Sequence, residues 1–195
     1  MSSFFTFEGV SYPYFPSGHE RTVEVPIVMG TVRRHLPLGS RILEVGRVLP
    51  RYYKFKGTVV DKFEGPIKED ILTYTPSKPF NLIISISTVE HIWWDEAAYG
   101  GKIPRTPGKA AEAVKRMLTM LTPGGEMLCT WPIGYNPPLD QALFKGAFPE
   151  AHVGFLKRIT LDNKWIEVSR TDAVRAKYKK PFPAGNVVVI ARWRT

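Results

Sequence analysis

The chain has 195 residues, of which 44% are hydrophobic and 23% charged. This is ordinary for a globular protein and long enough for one α/β domain with a sizeable core. Cys129 is the only cysteine, which excludes an internal disulfide and a cysteine-cluster metal site, and we expect no bound metal. No apolar run approaches the roughly 20 residues needed to cross a bilayer. Residues 1–15 lack the basic and apolar regions of a signal peptide, so we expect a cytoplasmic location.

The net charge of +9 and the pI of about 9.7 permit an anionic partner such as RNA, a nucleotide-sugar or an acidic glycan. The excess positive charge is spread over small clusters at 33–34, 157–158 and 175–180. None of them forms a dense stripe interleaved with aromatic residues. The pattern therefore favours a solvated basic surface over a nucleic-acid interface.

The first 38 residues are interpreted as an N-terminal arm and a helix. Residues 1–19 are rich in aromatic residues, glycine, proline and serine, which predicts an irregular arm packed on the body of the domain. Residues 19–37 carry Val23, Ile27, Val28 and Val32 near helical spacing. Pro26 would either sit in the first turn of this helix or kink it.

Residues 40–135 alternate between strands and helices. Short apolar segments predict strands at 41–45, 58–61 and 126–132, and a brief further strand within 67–74. The nearly continuous β-formers at 79–87 fit a strand that is buried on both faces, as in a parallel sheet. Residues 106–126 predict a helix that has Pro107 in its first turn and is stopped by the Pro-Gly-Gly sequence at 123–125.

The last third, 136–195, is less regular. Its pattern predicts a short helix at 138–147, strands at 153–160 and 164–169, a helix start capped by Thr171 or Asp172, and a final strand at 186–193. Strand–helix alternation of this kind indicates a single α/β domain with a mostly parallel sheet.

In open α/β sheets, ligands bind beyond the carboxyl ends of the strands. Asp61 lies 15 residues after Gly46, at the predicted tip of the adjacent strand, where a carboxylate can accept both hydroxyl groups of a ribose. Asp70 would lie near an adenine amino group if the brief further strand ends there. The simpler interpretation of each acid is a cap or a solvated turn residue. Polar residues follow apolar runs at three such ends, namely Glu44 with Gly46, Asp61, and Ser85 with Ser87 leading into Glu90 and His91.

Four segments together resemble class I S-adenosylmethionine-dependent methyltransferases. "ILEVG" resembles the first-strand motif, "VVD" the second-strand acid, "FNLIISISTVEHI" the fourth-strand motif, and "MLTMLTPGGEMLCTWP" the helix and fifth strand. They cover about residues 40–135 in the family's order, although Asn81 stands where the family usually has Asp. The resemblance implies a Rossmann-like, doubly wound domain whose mostly parallel, seven-stranded sheet has an antiparallel last strand, supplied here by residues 187–192. It also implies S-adenosylmethionine as cofactor.

The loop after the first of these strands departs from a dinucleotide-binding loop, because Val48 and Pro50 replace the expected glycines. Those glycines let the backbone approach a pyrophosphate, whereas S-adenosylmethionine has no phosphate. Gly46 alone would then provide the close approach, and Arg47 or Arg51 would meet the carboxylate of the cofactor. The competing interpretation is that Val48 and Pro50 fill the space. The resemblance implies a cofactor-binding set of Glu44, Gly46, Arg47, Asp61, Asp70, Ile71, Ser87 and Glu90.

Residues 87–96, "STVEHIWWDE", follow the fourth strand of the family pattern, where substrate-side residues are often found. His91 is the candidate general base for a hydroxyl acceptor, with Asp95 or Glu96 as alternative bases or as its orienting partner. The opposing interpretation is a structural His91 packed beneath the cofactor. Trp93 and Trp94 are candidates for the pocket wall, although adjacent residues would point apart.

Three hypotheses on function follow from this resemblance. The first is O-methylation of a sugar or other small hydroxylated acceptor, with residues 136–195 forming the acceptor side. The second is a methyltransferase-like binding module without catalysis, and the third is RNA methylation. Methylation of an amino group on a base is disfavoured, because "YNPP" at 135–138 follows the fifth strand instead of the fourth.

Overall fold

The computed structural model describes residues 3–101 and 104–195. The elements among them, in chain order, are β1 Phe4–Phe7, β2 Val10–Pro13, α1 Arg21–His35, β3 Ile42–Val45, β4 Thr58–Val60, β5 Phe80–Ile86, α2 Lys109–Leu118, β6 Leu121–Pro132, α3 Pro137–Phe144, β7 His152–Arg158, β8 Trp165–Val168, α4 Arg170–Ala173 and β9 Val187–Arg194.

Seven strands form one mixed sheet in the order β4-β3-β5-β6-β9-β7-β8. The pairs β3–β4, β3–β5 and β5–β6 are parallel, and β9 runs antiparallel to β6 with Ala191 opposite Cys129. The predicted Rossmann-like, seven-stranded fold with an antiparallel last strand is therefore confirmed. The chain leaves β3 toward β4 on one side and later returns to β5 on the other, so a topological switch point lies at β3, where a ligand crevice is expected.

The sheet separates two hydrophobic cores. On one face, α1 and the β1–β2 hairpin pack against apolar side chains from the strands, including Leu82 and Ile84 of β5. On the other face, α2 and α3 cover Ile83, Met127 and neighbouring residues. The side chains of β5 are almost all buried, as expected for a central strand with layers on both sides.

Pro26 lies inside α1 and not at its start. A proline has no N–H, so the carbonyl of Thr22, four residues earlier, loses its helical hydrogen bond. The backbone N–H of Phe15 donates to that carbonyl at 2.9 Å. The hydroxyl of Thr22 in turn donates to the carbonyl of Phe15 at 2.5 Å. The carbonyl that Pro26 leaves free thus attaches to α1 the segment that follows the N-terminal hairpin.

Two predicted elements near the sheet edges were wrong. Residues 4–13 are an antiparallel hairpin and not an irregular arm, because Phe5 and Phe7 alternate inward and are buried. The brief strand within 67–74 is absent among the described residues. Only Ile67 forms an isolated bridge, with Val60, and the chain then turns at residues 71–73.

Two predicted helix boundaries were also wrong. Helix α2 ends at Leu118, and the Pro-Gly-Gly sequence lies in an irregular part of β6, where the pairing register shifts between Phe80 and Leu82. Helix α4 is capped by Ser169, whose hydroxyl accepts from the N–H of Asp172 at 3.2 Å, and not by Thr171 or Asp172. None of the described helices combines the length and apolar character needed to cross a bilayer.

Phe7 provides a test of whether the hairpin belongs to the core. Its side chain is fully buried, and its ring occupies the space over Gly154 of β7, where an added Cβ would lie 2.5 Å from it. We expect Phe7→Ala to lower the free energy of unfolding by about 3–5 kcal/mol through lost burial and a cavity. Val10→Ala, at a half-exposed position of the same hairpin, should cost about 0.5 kcal/mol. Equal effects of the two variants in urea denaturation would show a hairpin that is only loosely attached.

Candidate cofactor and active site

One cavity of about 390 Å³ lies at the carboxyl ends of β3, β4 and β5, at the switch point of the sheet. This volume lies within the range of about 300–1,000 Å³ for small-molecule pockets. Its wall combines four segments of the chain: the loop after β3, the loop after β4, residues 69–71, and the segment after β5. Helix α1 adds Arg21.

Glu44 of β3 holds the first loop from beneath. Its Oε1 atom accepts hydrogen bonds from the backbone N–H groups of Val48 at 3.0 Å and Leu49 at 2.8 Å. These amides begin the short 3₁₀ turn Leu49–Arg51. The side chain is fully buried, and Oε2 has no hydrogen-bond partner among the described residues. Burial therefore raises the pKa of Glu44 to about 7, although the two amide hydrogen bonds oppose the shift.

Gly46 is required by its neighbours in the protein itself. Its φ is +89°, a conformation that favours glycine, and an added Cβ would lie 2.1 Å from Oγ1 of Thr88. The segment after β5 thus accounts for a glycine at this position, and the predicted close approach of Gly46 to a cofactor stays a prediction. Val48 and Gly46 both line the cavity, so Val48 forms part of the wall and does not fill the space.

Asp61 lies at the tip of β4 and lines the cavity. Its Oδ1 atom accepts from the N–H groups of Phe63 at 2.8 Å and Glu64 at 2.9 Å. The turn after β4 therefore fixes the carboxylate at the cavity edge, as predicted from its position. These two hydrogen bonds agree with the turn-residue interpretation, and contact of Asp61 with a ribose stays a prediction.

Lys62, which sequence reasoning missed, connects two walls of the cavity. Its ammonium group lies 2.9 Å from Oδ2 of Asp70 and 2.7 Å from Oε2 of Glu96. Asp70 also accepts from the N–H of Leu72 at 3.0 Å and from the indole N–H of Trp93 at 2.9 Å. Burial alone would raise the pKa of Asp70, but these hydrogen bonds and the lysine charge outweigh it and lower the pKa. Lys62 follows Asp61 directly, which was the available sequence signal.

The mouth of the cavity carries a second ion-pair group. Arg47 pairs with Glu64 at 3.2 Å, and Arg51 pairs with the other oxygen of the same carboxylate. The three side chains are between 39% and 55% exposed, so each pair contributes little to stability. Both arginines line the cavity, and their contact with a cofactor carboxylate stays a prediction.

Behind the loop after β5 lies a buried polar cluster. Ser87 donates to Glu24 of α1 at 2.6 Å, and Arg21 pairs with the same carboxylate at 2.6 Å. Glu90 is buried, with its Oε2 lacking a partner among the described residues, and burial raises its pKa well above the usual value. Ser87 lines the cavity and Ile71 is a buried part of its wall, whereas Glu44 and Glu90 lie behind the wall.

His91 faces the cavity and belongs to a chain of hydrogen bonds. Its Nδ1 atom lies 2.9 Å from Oδ1 of Asp95, and the hydroxyl of Tyr135 donates to the other oxygen of that carboxylate. The Nε2 atom lies 3.5 Å from the hydroxyl of Tyr99 and 3.7 Å from Oε1 of Glu90. Burial, followed by the hydrogen bond to Asp95, raises the pKa of Tyr135, which keeps that hydroxyl a donor. Nothing in the sequence pattern indicated Tyr135.

The three remaining candidates take different positions. Glu96 lines the cavity, but Lys62 and the N–H of Trp93 engage its carboxylate, so it is less suited than His91 to accept a proton. Trp93 and Trp94 point apart, as predicted for adjacent residues. The indole of Trp93 donates to Asp70, and that of Trp94 donates to the carbonyl of Tyr135 at 3.1 Å. Among residues 3–101 and 104–195, no cluster of His, Cys, Asp and Glu could hold a metal ion.

No protein-family model and no curated protein matches the sequence. The fold is similar to several solved structures. N-methyltransferase NodS from Bradyrhizobium japonicum WM9, in complex with S-adenosyl-L-homocysteine, is 13% identical, with 87% of each chain covered and a TM-score of 0.49. A possible histamine N-methyltransferase from Thermotoga maritima is 15% identical, with 86% of this chain and 96% of that chain covered and a TM-score of 0.47.

A third similar structure is 1,6-didemethyltoxoflavin-N1-methyltransferase from Burkholderia thailandensis, with S-adenosylhomocysteine bound. It is 11% identical, with 100% of this chain and 99% of that chain covered and a TM-score of 0.48. Likenesses of this strength assign neither an activity nor a substrate, which have to be argued from the residues of the cavity.

The pKa of Glu44 predicts how its loop responds to pH. A carboxyl group whose pKa rises from about 4.5 to about 7 on folding stabilises the fold below pH 4.5, and this contribution is lost as the pH rises toward and past 7. Glu44→Gln keeps a carbonyl for the two amides and has no charge to bury. We expect the unfolding free energy of the variant, measured relative to that of the parent, to be about 2 kcal/mol larger at pH 8 than at pH 5. Urea denaturation at each pH measures this difference. If the unfolding free energies of variant and parent differed by the same amount at every pH in this range, Glu44 would be ionised throughout.

Proposed function

We propose that this protein is an S-adenosylmethionine-dependent methyltransferase that O-methylates a sugar or other small hydroxylated acceptor. One observation carries the cofactor assignment. Glu44 occupies the loop amides of Val48 and Leu49, which a dinucleotide-binding loop would present to a pyrophosphate. The carboxylate of Asp61 faces the same cavity from the neighbouring strand. This combination supports a ligand that carries a ribose but no phosphate.

The remaining walls fit the other parts of such a ligand. Asp70 and Ile71 supply an acceptor and an apolar surface for an adenine ring at the far wall. Arg47 and Arg51 supply cations for an amino-acid carboxylate, which would replace Glu64 as their partner. When bound, S-adenosylmethionine supplies a methyl group on a positively charged sulfur. The protein contributes position and exclusion of water.

His91 is the proposed general base. Because Nδ1 faces the carboxylate of Asp95, the neutral ring carries its hydrogen on Nδ1, and Nε2, which lies 3.5 Å from the Tyr99 hydroxyl, is the nitrogen that can accept a proton. Nε2 would take the proton of an acceptor hydroxyl as that oxygen becomes a nucleophile. Asp95, itself held by Tyr135, would keep the ring in this tautomer and stabilise the imidazolium. This pairing supports a hydroxyl acceptor, because an oxygen gains most from loss of its proton.

Titration of the purified chain with S-adenosylmethionine, by calorimetry, tests the cofactor assignment. We expect binding by the parent and a loss of about 1.5–3 kcal/mol of binding free energy in Asp61→Asn, the scale of a charge-assisted hydrogen bond. Asparagine retains a carbonyl oxygen for the amides of Phe63 and Glu64, so the turn should stay folded. Absence of binding to the parent would refute the proposal. Unchanged binding in Asp61→Asn would leave Asp61 a turn residue only.

The base assignment is tested by release of S-adenosylhomocysteine in the presence of a panel of hydroxylated glycans. His91→Ala should lower turnover about 10²- to 10⁴-fold, the contribution of a general base, with cofactor affinity nearly unchanged. His91→Gln should restore folding but not the rate. His152→Ala removes a histidine paired with Glu8 on the surface and should leave the rate unchanged. A fully active His91→Gln, with His91→Ala mainly lowering the melting temperature, would make His91 structural.

A further inference from the structure

The chain between α4 and β9 carries four cations, Arg175, Lys177, Lys179 and Lys180, called here the basic segment. All four residues are exposed. Across the described parts of the chain, none of the four forms an ion pair with an acidic side chain; the salt bridges lie elsewhere. The cations that line the cavity differ in this respect, since Lys62 and Arg47 are each neutralised by a carboxylate.

Two tyrosine rings connect the basic segment to the proposed base. The ring of Tyr135 contacts that of His91 with centroids 4.7 Å apart, and the ring of Tyr178 contacts Tyr135 at 4.8 Å. The ammonium group of Lys179 lies 5.5 Å from the centre of the Tyr178 ring. Three consecutive contacts thus connect the imidazole to the unpaired charges. A sugar with a hydroxyl held at His91 would have to reach past both tyrosine rings to place an anionic group at Lys179.

The backbone of the basic segment is fixed on the protein. An added Cβ on Gly134 would lie 2.6 Å from the backbone nitrogen of Tyr178, so the two chains are in close contact. The N–H of Lys179 donates to the carbonyl of Ala184 at 2.9 Å. The N–H of Gly185 donates to Glu20 at 2.9 Å. The charges are therefore presented from an anchored turn, which lowers the entropic cost of using them to bind an anion.

We propose that the basic segment binds the phosphate group of a phosphorylated sugar, whose hydroxyl is the methyl acceptor at His91; this rests on the proposed function. Three lysines and one arginine concentrate positive charge within six residues, and lysine binds phosphate as a point charge. A sugar that carries a carboxylate would also bring a negative charge to the basic segment, and the test therefore includes one.

Calorimetric titration of the full chain with glucose 1-phosphate at low ionic strength tests this proposal, with glucose and glucuronic acid as the two comparison ligands. We expect glucose 1-phosphate to bind more tightly than either. The triple variant Lys177→Gln/Lys179→Gln/Lys180→Gln should weaken its binding at least tenfold. Added salt should weaken binding to the parent, because exposed charges are screened. Amide resonances of residues 175–180 should shift on binding to the parent.

The control is the triple variant Lys56→Gln/Lys78→Gln/Lys115→Gln, which removes the same amount of charge. These three lysines are exposed and lie outside both the cavity wall and the basic segment. The control should bind glucose 1-phosphate as tightly as the parent. Equal losses in both triple variants, or no binding to the parent, would overturn the inference, and tighter binding of glucuronic acid would overturn the choice of phosphate. Titration of each variant with S-adenosylmethionine separates the two proposals. Failure of the parent to bind S-adenosylmethionine refutes the proposed function, whereas intact cofactor binding with unaffected sugar-phosphate binding refutes only this inference.

Discussion

The candidate site depends on one constraint, the pair of hydrogen bonds that the carboxyl group of Glu44 accepts from the amides of Val48 and Leu49. It turns the chain sharply after β3 and removes from the cavity the two donors that a phosphate would require. It also places a carboxyl group in the interior with one oxygen unpartnered, which is costly for the ionised form. The loop is thus shaped by an internal acid and not by a run of glycines, and Val48 and Leu49 can follow Gly46 without closing the cavity.

The structure explains why the loop after β3 needs a glycine only at position 46. Gly46 is confined by its own positive φ and by the side chain of Thr88, so it joins the ends of β3 and β5 at the switch point. The remaining residues of the loop are held by Glu44 and can carry side chains. Two of these side chains, Arg47 and Arg51, lie at the mouth of the cavity. A loop held in this way has the amides of Val48 and Leu49 occupied by Glu44 and presents side chains at the same edge of the sheet.

The sheet core was predictable from the sequence because its strands are short, apolar and closely followed by polar residues. Asp61 and His91 could be located for the same reason, since each follows a strand that the apolar pattern defines. Arg21 and Tyr135 could not be found in this way, because each comes from an element distant in sequence and meets the site only through tertiary packing. The hairpin at 4–13 was missed since its alternation covers only four residues in each strand.

The same segment carries both the proposed base and part of the proposed cofactor wall. His91 and Asp95 lie on one side of it, while Glu96 on the other side is held by Lys62, which also holds Asp70. Trp93 reinforces this connection through its indole and its backbone N–H. A ligand that contacts Asp70 would therefore act on the position of residues 91–96 through Lys62. Residues 91–96 therefore join two hydrogen-bonded groups, that of His91, Asp95 and Tyr135 and that of Lys62, Asp70 and Glu96, so the proposed base and the proposed cofactor wall are linked through one short segment.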